Sequence, residues 1–145
     1  MIAQVTFPTY AKIQNDLDRL KRAFLQVLKL VGLFSFFVAG FIFLFATPFT
    51  RIFLGEKWLP MVPAMKILVI AGLLRALTAT TGSVFYALGQ PKIETRWELI
   101  HLLFLVVLIY PLALKWGISG VATAVLISTL VSTLGFFAEV RRLIK

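Results

Sequence analysis

The sequence predicts an all-helical integral membrane protein with four spanning helices preceded by an amphipathic helix. Of its 145 residues, 60% are hydrophobic and only 14% are charged, and the mean hydropathy is +0.95. A soluble domain is typically about 45–50% apolar and about a quarter charged, so this chain has too few polar residues to coat a soluble globule. Long apolar segments and an uneven distribution of basic residues complete the evidence for this class.

Four segments are long and apolar enough to cross a bilayer, which takes about 20 residues in helical conformation. They are residues 30–50, 67–90, 97–116 and 116–138. The first and fourth carry no charge, and the second carries only Arg75. The three tryptophans, Trp58, Trp97 and Trp116, fall at predicted ends, where indole rings favour the headgroup region.

The connections between these segments are short. Residues 51–66 contain Gly55, Pro60 and Pro63, which are expected to break helical structure. Residues 89–91 (GQP) end the second span, and residues 115–117 (KWG) form a tight turn. The third and fourth spans are therefore predicted to be antiparallel neighbours.

The segment before the first span is amphipathic. Apolar residues recur at helical spacing between positions 13 and 31, and charged residues occupy the other face. Two interpretations stay open: a helix lying in the membrane interface, or a solvent-exposed stem continuous with the first span. The predicted organisation is a cytoplasmic connector with this helix (1–29), a four-helix membrane region (30–140) and a basic cytoplasmic tail (141–145).

Basic residues predict the orientation. Alternate loops lie on the same side of the membrane, and ten Lys and Arg residues fall on the side of the termini against four on the other. Because cytoplasmic loops carry the excess of positive charge, both termini are predicted to be cytoplasmic. The ten are Lys12, Arg19, Lys21, Arg22, Lys29, Lys92, Arg96, Arg141, Arg142 and Lys145, and the four are Arg51, Lys57, Lys66 and Lys115.

Two spans carry stripes of small residues that let membrane helices approach closely. The fourth span has such a residue at every fourth position, and these are predicted helix-packing positions: Gly120, Ala124, Ser128 and Ser132. The first span has a similar stripe: Gly32, Ser35, Ala39 and Ala46. Both stripes predict contact with protein rather than lipid, and ordinary bundle packing is favoured over contact with a substrate.

The second span has one polar face, which supplies the candidate substrate-binding residues Arg75, Thr78 and Tyr86. The opposite face is predicted to meet lipid and consists of Ile70, Leu73, Leu77, Val84 and Leu88. A charge near mid-membrane rarely faces lipid, so Arg75 should face a transport cavity or a structural partner. No acidic residue lies in any predicted span core, so no ion-pair partner for Arg75 is expected within these spans.

Catalytic, metal and cofactor sites are not predicted. The chain has no cysteine and a single histidine, His101, so thiolate-bound zinc is excluded and no metal spacing is present. His101 and Glu98 share a helix face and are able to relay a proton, although an interfacial role is the more common one. The net charge of +9 would suggest nucleic acid in a soluble protein, but in a membrane protein it sets orientation.

Four stretches carry a family resemblance. Residues 7–14 (FPTYAKIQ) resemble the cytoplasmic connector between helices eight and nine of polysaccharide flippases, and residues 55–60 (GEKWLP) resemble the turn after helix nine. Residues 71–77 (AGLLRAL) with 87–91 (ALGQP) resemble the tenth helix and its following loop, and residues 116–122 (WGISGVA) resemble the start of the twelfth. The family is the Wzx-type branch of the multidrug/oligosaccharidyl-lipid/polysaccharide superfamily.

The resemblance implies a two-lobed transporter of twelve or more helices in the bacterial inner membrane, working by alternating access. Its cargo would be an undecaprenyl-pyrophosphate-linked oligosaccharide, and its partners would be the lipid bilayer and the remaining helices of the transporter. The chain is much shorter than such a protein and would correspond to its C-terminal part. Alternatives are a lipid II flippase or drug exporter of the same superfamily, a four-helix adaptor that oligomerises through the Gly120–Ser132 stripe, and, least favoured, a membrane enzyme.

Overall fold

The fold is described by a computed structural model covering residues 17–87 and 89–143. These residues form three α-helices: α1 (Leu17–Phe49), α2 (Val62–Ala87) and α3 (Pro91–Leu143). A π-helical turn (Thr50–Leu54) and a 3₁₀ helix (Glu56–Met61) connect α1 to α2, and no strand occurs in this part of the chain. All three α-helices lie in segments long and apolar enough to cross a membrane, which confirms the all-helical membrane class.

The amphipathic segment and the first predicted span form one continuous helix. From Leu17 to Phe49, α1 has no break near residue 29. Phe24, in its first half, is only 4% exposed and packs in a cluster with Phe85 of α2 and Phe136 of α3. The structure therefore has residues 17–29 in one helix with the first span, as in the second of the two interpretations, and Phe24, Val27 and Leu28 of this part pack against protein. The earlier part of the connector lies outside the described residues.

The connection after α1 is more helical than its composition predicts. Only Gly55 leaves helical geometry there, with φ +88°, a conformation that favours glycine. Pro60 lies inside the 3₁₀ helix and Pro63 lies in the first turn of α2. The expected interruption is confirmed, because the α-helix ends at Phe49 and resumes at Val62. Pro63 itself lies in the first turn of α2, where a helix leaves its N–H groups unpaired anyway.

A short turn joins α2 to α3, as predicted. Gly89 has φ +67°, its N–H donates to the carbonyl of Tyr86 at 3.1 Å, and the N–H of Gln90 donates to the carbonyl of Phe85 at 2.9 Å. This pair of bonds is the Schellman arrangement that ends many helices. Pro91 then begins α3, where its missing N–H is not needed.

Helix α3 reverses direction at Gly117. This glycine has φ +55° and ψ −131°, which is not helical, so the helix is interrupted at this residue. Gly135 packs directly against the indole ring of Trp97. In a straight helix these residues would be about 57 Å apart, at 1.5 Å per residue. We call residues 91–116 the proximal arm of α3 and residues 118–143 its distal arm. The two arms pack side by side, as the predicted tight turn at residues 115–117 requires.

The small residues of the distal arm are buried within the chain. Gly120 lies against the carbonyl of Leu112, so close that a Cβ atom would overlap it. The hydroxyl of Ser128 donates to the carbonyl of Val125 at 3.0 Å, as Ser132 does one turn later, so burial leaves no hydroxyl unpaired in this stripe. The four stripe positions are Gly120, Ala124, Ser128 and Ser132.

Helix α2 is central to the bundle. Its polar face meets α3, and its other face packs against α1, where Gly32 contacts Leu77 and a groove is lined jointly by Ala39 of α1 and Leu73 of α2. The prediction that this face meets lipid was therefore wrong for Leu73 and Leu77, which the small-residue stripe of α1 partly covers, whereas Ile70 on the same face is 45% exposed. The uncovered apolar surface lies mainly on α1 and on the proximal arm of α3.

Candidate functional site

The candidate site is a cluster of ionisable side chains between α2 and the proximal arm of α3. Arg75 stands midway along the 26-residue α2. Its Nη2 atom donates to Oε1 of Glu98 at 2.5 Å, and its Nη1 atom lies 3.2 Å from Nε2 of His101. Because a guanidinium only donates hydrogen bonds, Nε2 of His101 accepts. This contact therefore requires the neutral imidazole with its proton on Nδ1.

The two partners of Arg75 differ in their exposure to solvent. The side chains of Arg75 and Glu98 are 55% and 54% exposed, whereas His101 is only 7% exposed. Nδ1 of His101 is buried and has no hydrogen-bond partner among the described residues. Arg75 is thus held between an open carboxylate and a buried imidazole.

A second carboxylate, Glu94, lies one turn before Glu98. It accepts a hydrogen bond from the hydroxyl of Tyr86 at the end of α2. Its Oε1 atom lies over Gly82, so close that a Cβ atom there would displace the carboxylate. Its Oε2 atom is buried without a partner in the described part of the chain. Glycine at position 82 therefore makes the space that Glu94 occupies.

These side chains line a pocket of about 170 Å³. Arg75, Thr78 and Ala79 contribute from α2, Glu94 and Glu98 from the proximal arm, and Phe136 from the distal arm. With one guanidinium and two carboxylates, its formal charge is negative when both acids are ionised. A larger groove of about 700 Å³ between α1, the 3₁₀ helix and α2 is lined mainly by apolar residues, whereas most residues that line the smaller pocket are polar.

The predicted site residues fall at this pocket. Arg75 and Thr78 line it, and Tyr86 reaches it through Glu94. The hydroxyl of Thr78 donates to the carbonyl of Arg75 at 2.9 Å, so it also serves the helix backbone. The expectation that Arg75 has no partner within these spans was wrong. Glu98 lies near the start of the predicted third span (97–116), just before its charge-free core at residues 99–114, but the long side chain of Arg75 reaches it.

Sequence reasoning missed the role of Glu94. The signal was available, because Glu94, Glu98 and His101 follow one another at intervals of four and three residues and so share one helix face. That face lies opposite Arg75 once α2 and α3 are antiparallel. Within the described residues, no group of three or more acidic or histidine side chains is arranged to hold a metal ion.

Three apolar helices of membrane-spanning length, with ionisable side chains directed at one another between them, define a multi-pass membrane protein. The profile of a family described as "Polysaccharide biosynthesis protein" matches residues 1–63. The chain is 28% identical over 134 residues to an uncharacterized membrane protein in the cps region of Klebsiella pneumoniae, and 27% identical over 142 residues to the lipopolysaccharide biosynthesis protein WzxC of Escherichia coli. These matches support a polysaccharide flippase-type family, in agreement with the resemblance noted in the sequence.

The matches cover most of this chain but only part of each relative. The first two alignments span 92% and 97% of the chain, and 28% and 29% of the relatives. The teichuronic acid biosynthesis protein TuaB of Bacillus subtilis is 33% identical over 99 residues, which is 68% of the chain and 20% of that protein. The chain thus spans less than a third of the length of these relatives. No solved structure gives a significant match.

Proposed function

We propose that this chain is part of a transporter that moves a lipid-linked oligosaccharide across the bacterial inner membrane by alternating access, without catalysing a chemical reaction. The observation that carries this proposal is the half-exposed guanidinium of Arg75 midway along α2, beside an open polar pocket. A charge in the middle of a membrane helix is costly and typically marks a substrate path. Similarity to the flippase-type family supports the same function.

The cargo we propose is an oligosaccharide linked to undecaprenyl pyrophosphate. Its pyrophosphate is the anion that a guanidinium binds best, because two N–H groups match two phosphate oxygens. Thr78 and Tyr86 are proposed to contact the same headgroup from the next turns of α2. The prenyl tail would remain against the apolar surface, while the remaining helices of the transporter would enclose the glycan.

The adaptor alternative loses its basis in this structure. It required the stripe from Gly120 to Ser132 to be available to a second molecule, yet Ala124 and Ser128 are fully buried by the chain's own helices. A helix face used for internal packing is not free for oligomerisation. Transport is therefore the function that the arrangement supports best.

The transport proposal is tested in the native host by deleting the gene that encodes this chain. Lipid-linked oligosaccharide should then accumulate on the inner leaflet while surface polysaccharide is lost, and the complete gene product should restore both. We expect residues 1–145 expressed alone not to restore export, since these helices enclose no path wide enough for a glycan. Normal surface polysaccharide after deletion would exclude the proposed function.

We further propose four membrane crossings with both termini and residues 1–29 on the cytoplasmic side. The reversal at Gly117 supports a fourth crossing, and the distribution of basic residues supports the orientation. The chain has no cysteine, so single cysteines can report its topology without background. Position 57 is a better reporter than position 55, because a side chain at Gly55 would strain its positive φ.

Cysteines at Lys57 and Lys115 should react in intact cells with an impermeant thiol reagent, whereas cysteines at Thr9, Gln90 and Lys145 should react only after the membrane is opened. Labelling of position 9 or 145 from outside would reverse the proposed orientation. If the cysteine at position 57 reacts from outside and the cysteine at position 115 does not, the turn at Gly117 does not reach the outer surface.

A further inference from the structure

Glu98 occupies the place that an anionic ligand of Arg75 would take. Its Oε1 atom accepts from Nη2 of Arg75 at 2.5 Å, which is the position a phosphate oxygen would hold in a guanidinium–phosphate pair. The pocket beside this contact has a volume of about 170 Å³, equal to the share of roughly five or six water molecules in the liquid. It leaves room for a phosphate group next to the guanidinium.

The Arg75–Glu98 pair is open and therefore easily exchanged. Both side chains are more than half exposed and line the open pocket, and an ion pair that the water of such a pocket reaches is weak because solvent screens it. The buried His101 holds the other terminal nitrogen of Arg75 at 3.2 Å. If Glu98 moved away, His101 would still position the guanidinium, so Arg75 would stay at the pocket.

The second acid of the pocket has a different partner. Glu94 lies over Gly82 and accepts the hydroxyl of Tyr86, whereas no contact joins it to Arg75. The two carboxylates are thus not equivalent: Glu98 is the one in contact with the guanidinium. Only Glu98 is placed to compete with an incoming anion for it.

We propose that Glu98 is a built-in competitor for the anionic headgroup of the cargo, which must displace it from Arg75 in order to bind. This inference rests on the proposed function. Glu98 would neutralise Arg75 while the site is empty and would take it back when the headgroup leaves. Glu98 therefore sets the affinity for the anion and favours its release, and it acts through Arg75 as a positioning residue.

The test uses the complete purified transporter and farnesyl pyrophosphate as the probe, with farnesol as the uncharged comparison. Glu98→Gln keeps the shape of the side chain but removes the competing charge. We expect it to bind farnesyl pyrophosphate on the order of fivefold to tenfold more tightly than the wild type, with unchanged affinity for farnesol. Export in cells should be slower, because the headgroup leaves later.

Glu56→Gln is the matched control. Glu56 is also an acid near an arginine, with Oε1 3.8 Å from Nε of Arg51, but it lies outside the pocket. Its neutralisation changes the net charge equally and should leave affinity for the probe unchanged. Glu98→Asp keeps the charge on a shorter side chain, and its affinity for farnesyl pyrophosphate should lie between those of the wild type and Glu98→Gln. It takes the place of Glu98→Gln in the test if the glutamine variant does not fold.

The outcomes separate this inference from the function on which it rests. If wild-type binding of farnesyl pyrophosphate depends on Arg75, the proposed cargo site stands. Unchanged or weaker binding by a folded Glu98→Gln variant would then overturn the competitor role but not the proposed transport function. A purely structural ion pair predicts a lower melting temperature and no gain in affinity. If the wild type does not bind farnesyl pyrophosphate at all, both the inference and the proposed cargo fail.

Discussion

Replacing Gly120 with alanine should destabilise the protein more than the same change at any other glycine of the described helices. A Cβ atom at this position would overlap the carbonyl of Leu112, and a backbone atom cannot rotate away as a side chain can. Overpacking typically costs about 1–3 kcal/mol, which exceeds the gain of up to about 1 kcal/mol from replacing glycine in a helix. The melting temperature in detergent should fall by about 5–10 °C.

Two other helical glycines provide the control for this prediction. A Cβ atom on Gly40 or Gly72 would meet no atom within 4 Å. Gly40→Ala and Gly72→Ala should therefore melt at or slightly above the wild-type temperature, because alanine favours the helix. A Gly120→Ala variant that behaves like these two would show that the arms of α3 do not pack as closely as the structure has them.

The sequence predicted those features of the architecture that depend only on the residue pattern along one helix face. The polar side of α2 could be identified because Arg75, Thr78 and Tyr86 recur at helical spacing among apolar residues. The packing stripe of the distal arm could be identified in the same way, since one small residue per turn is visible without knowing the partner helix. Such periodic signals belong to one segment and need no tertiary information.

The contacts between helices could not be predicted in this way. Whether Arg75 contacts Glu98 depends on how far α3 is shifted along the axis of α2. The turn at residues 89–91 sets this shift, and the amino-acid composition does not reveal it. The covered face with Leu73 and Leu77 was assigned to lipid for a related reason. In a membrane protein, a helix face directed at another apolar helix and one directed at lipid have nearly the same composition.

Continuity of a helix is equally hard to predict when its environment changes along its length. The charged first half of α1 and its apolar second half left open whether they form one element or two, and no glycine or proline separates them between Leu17 and Gly32. The opposite case is Gly117, where a single glycine between two apolar stretches allows a reversal. Local backbone freedom, rather than the change in polarity, decided both outcomes.

Replacing Arg75 with alanine in the complete transporter should abolish export without preventing membrane insertion. If the guanidinium binds the pyrophosphate, its loss removes charge-assisted hydrogen bonds worth about 1.5–3 kcal/mol each. Two such bonds correspond to a fall in export of about a hundredfold or more. Arg75→Lys should retain partial activity, because lysine keeps the charge but not the planar pair of donors.

The surroundings of Arg75 make this experiment decisive. The alanine variant leaves Glu98 without its partner, but Glu98 is 54% exposed, so water replaces the lost contact at little cost to stability. Arg51→Ala is the matched control, since Arg51 is also an exposed arginine beside a glutamate but lies outside the pocket, and its export should be unchanged. The double variant Arg75→Ala/Glu98→Ala removes both charges and tests for an effect of the unpaired acid.

Surface polysaccharide and the amount of protein in the membrane must therefore be measured together for these variants. Normal export by Arg75→Ala at normal abundance would exclude Arg75 as a ligand of the cargo. Degradation of Arg75→Ala together with recovery in the double variant would instead assign Arg75 the structural role of neutralising Glu98. Loss of export in both variants at normal abundance is the result expected of a guanidinium that holds the anionic headgroup during transport.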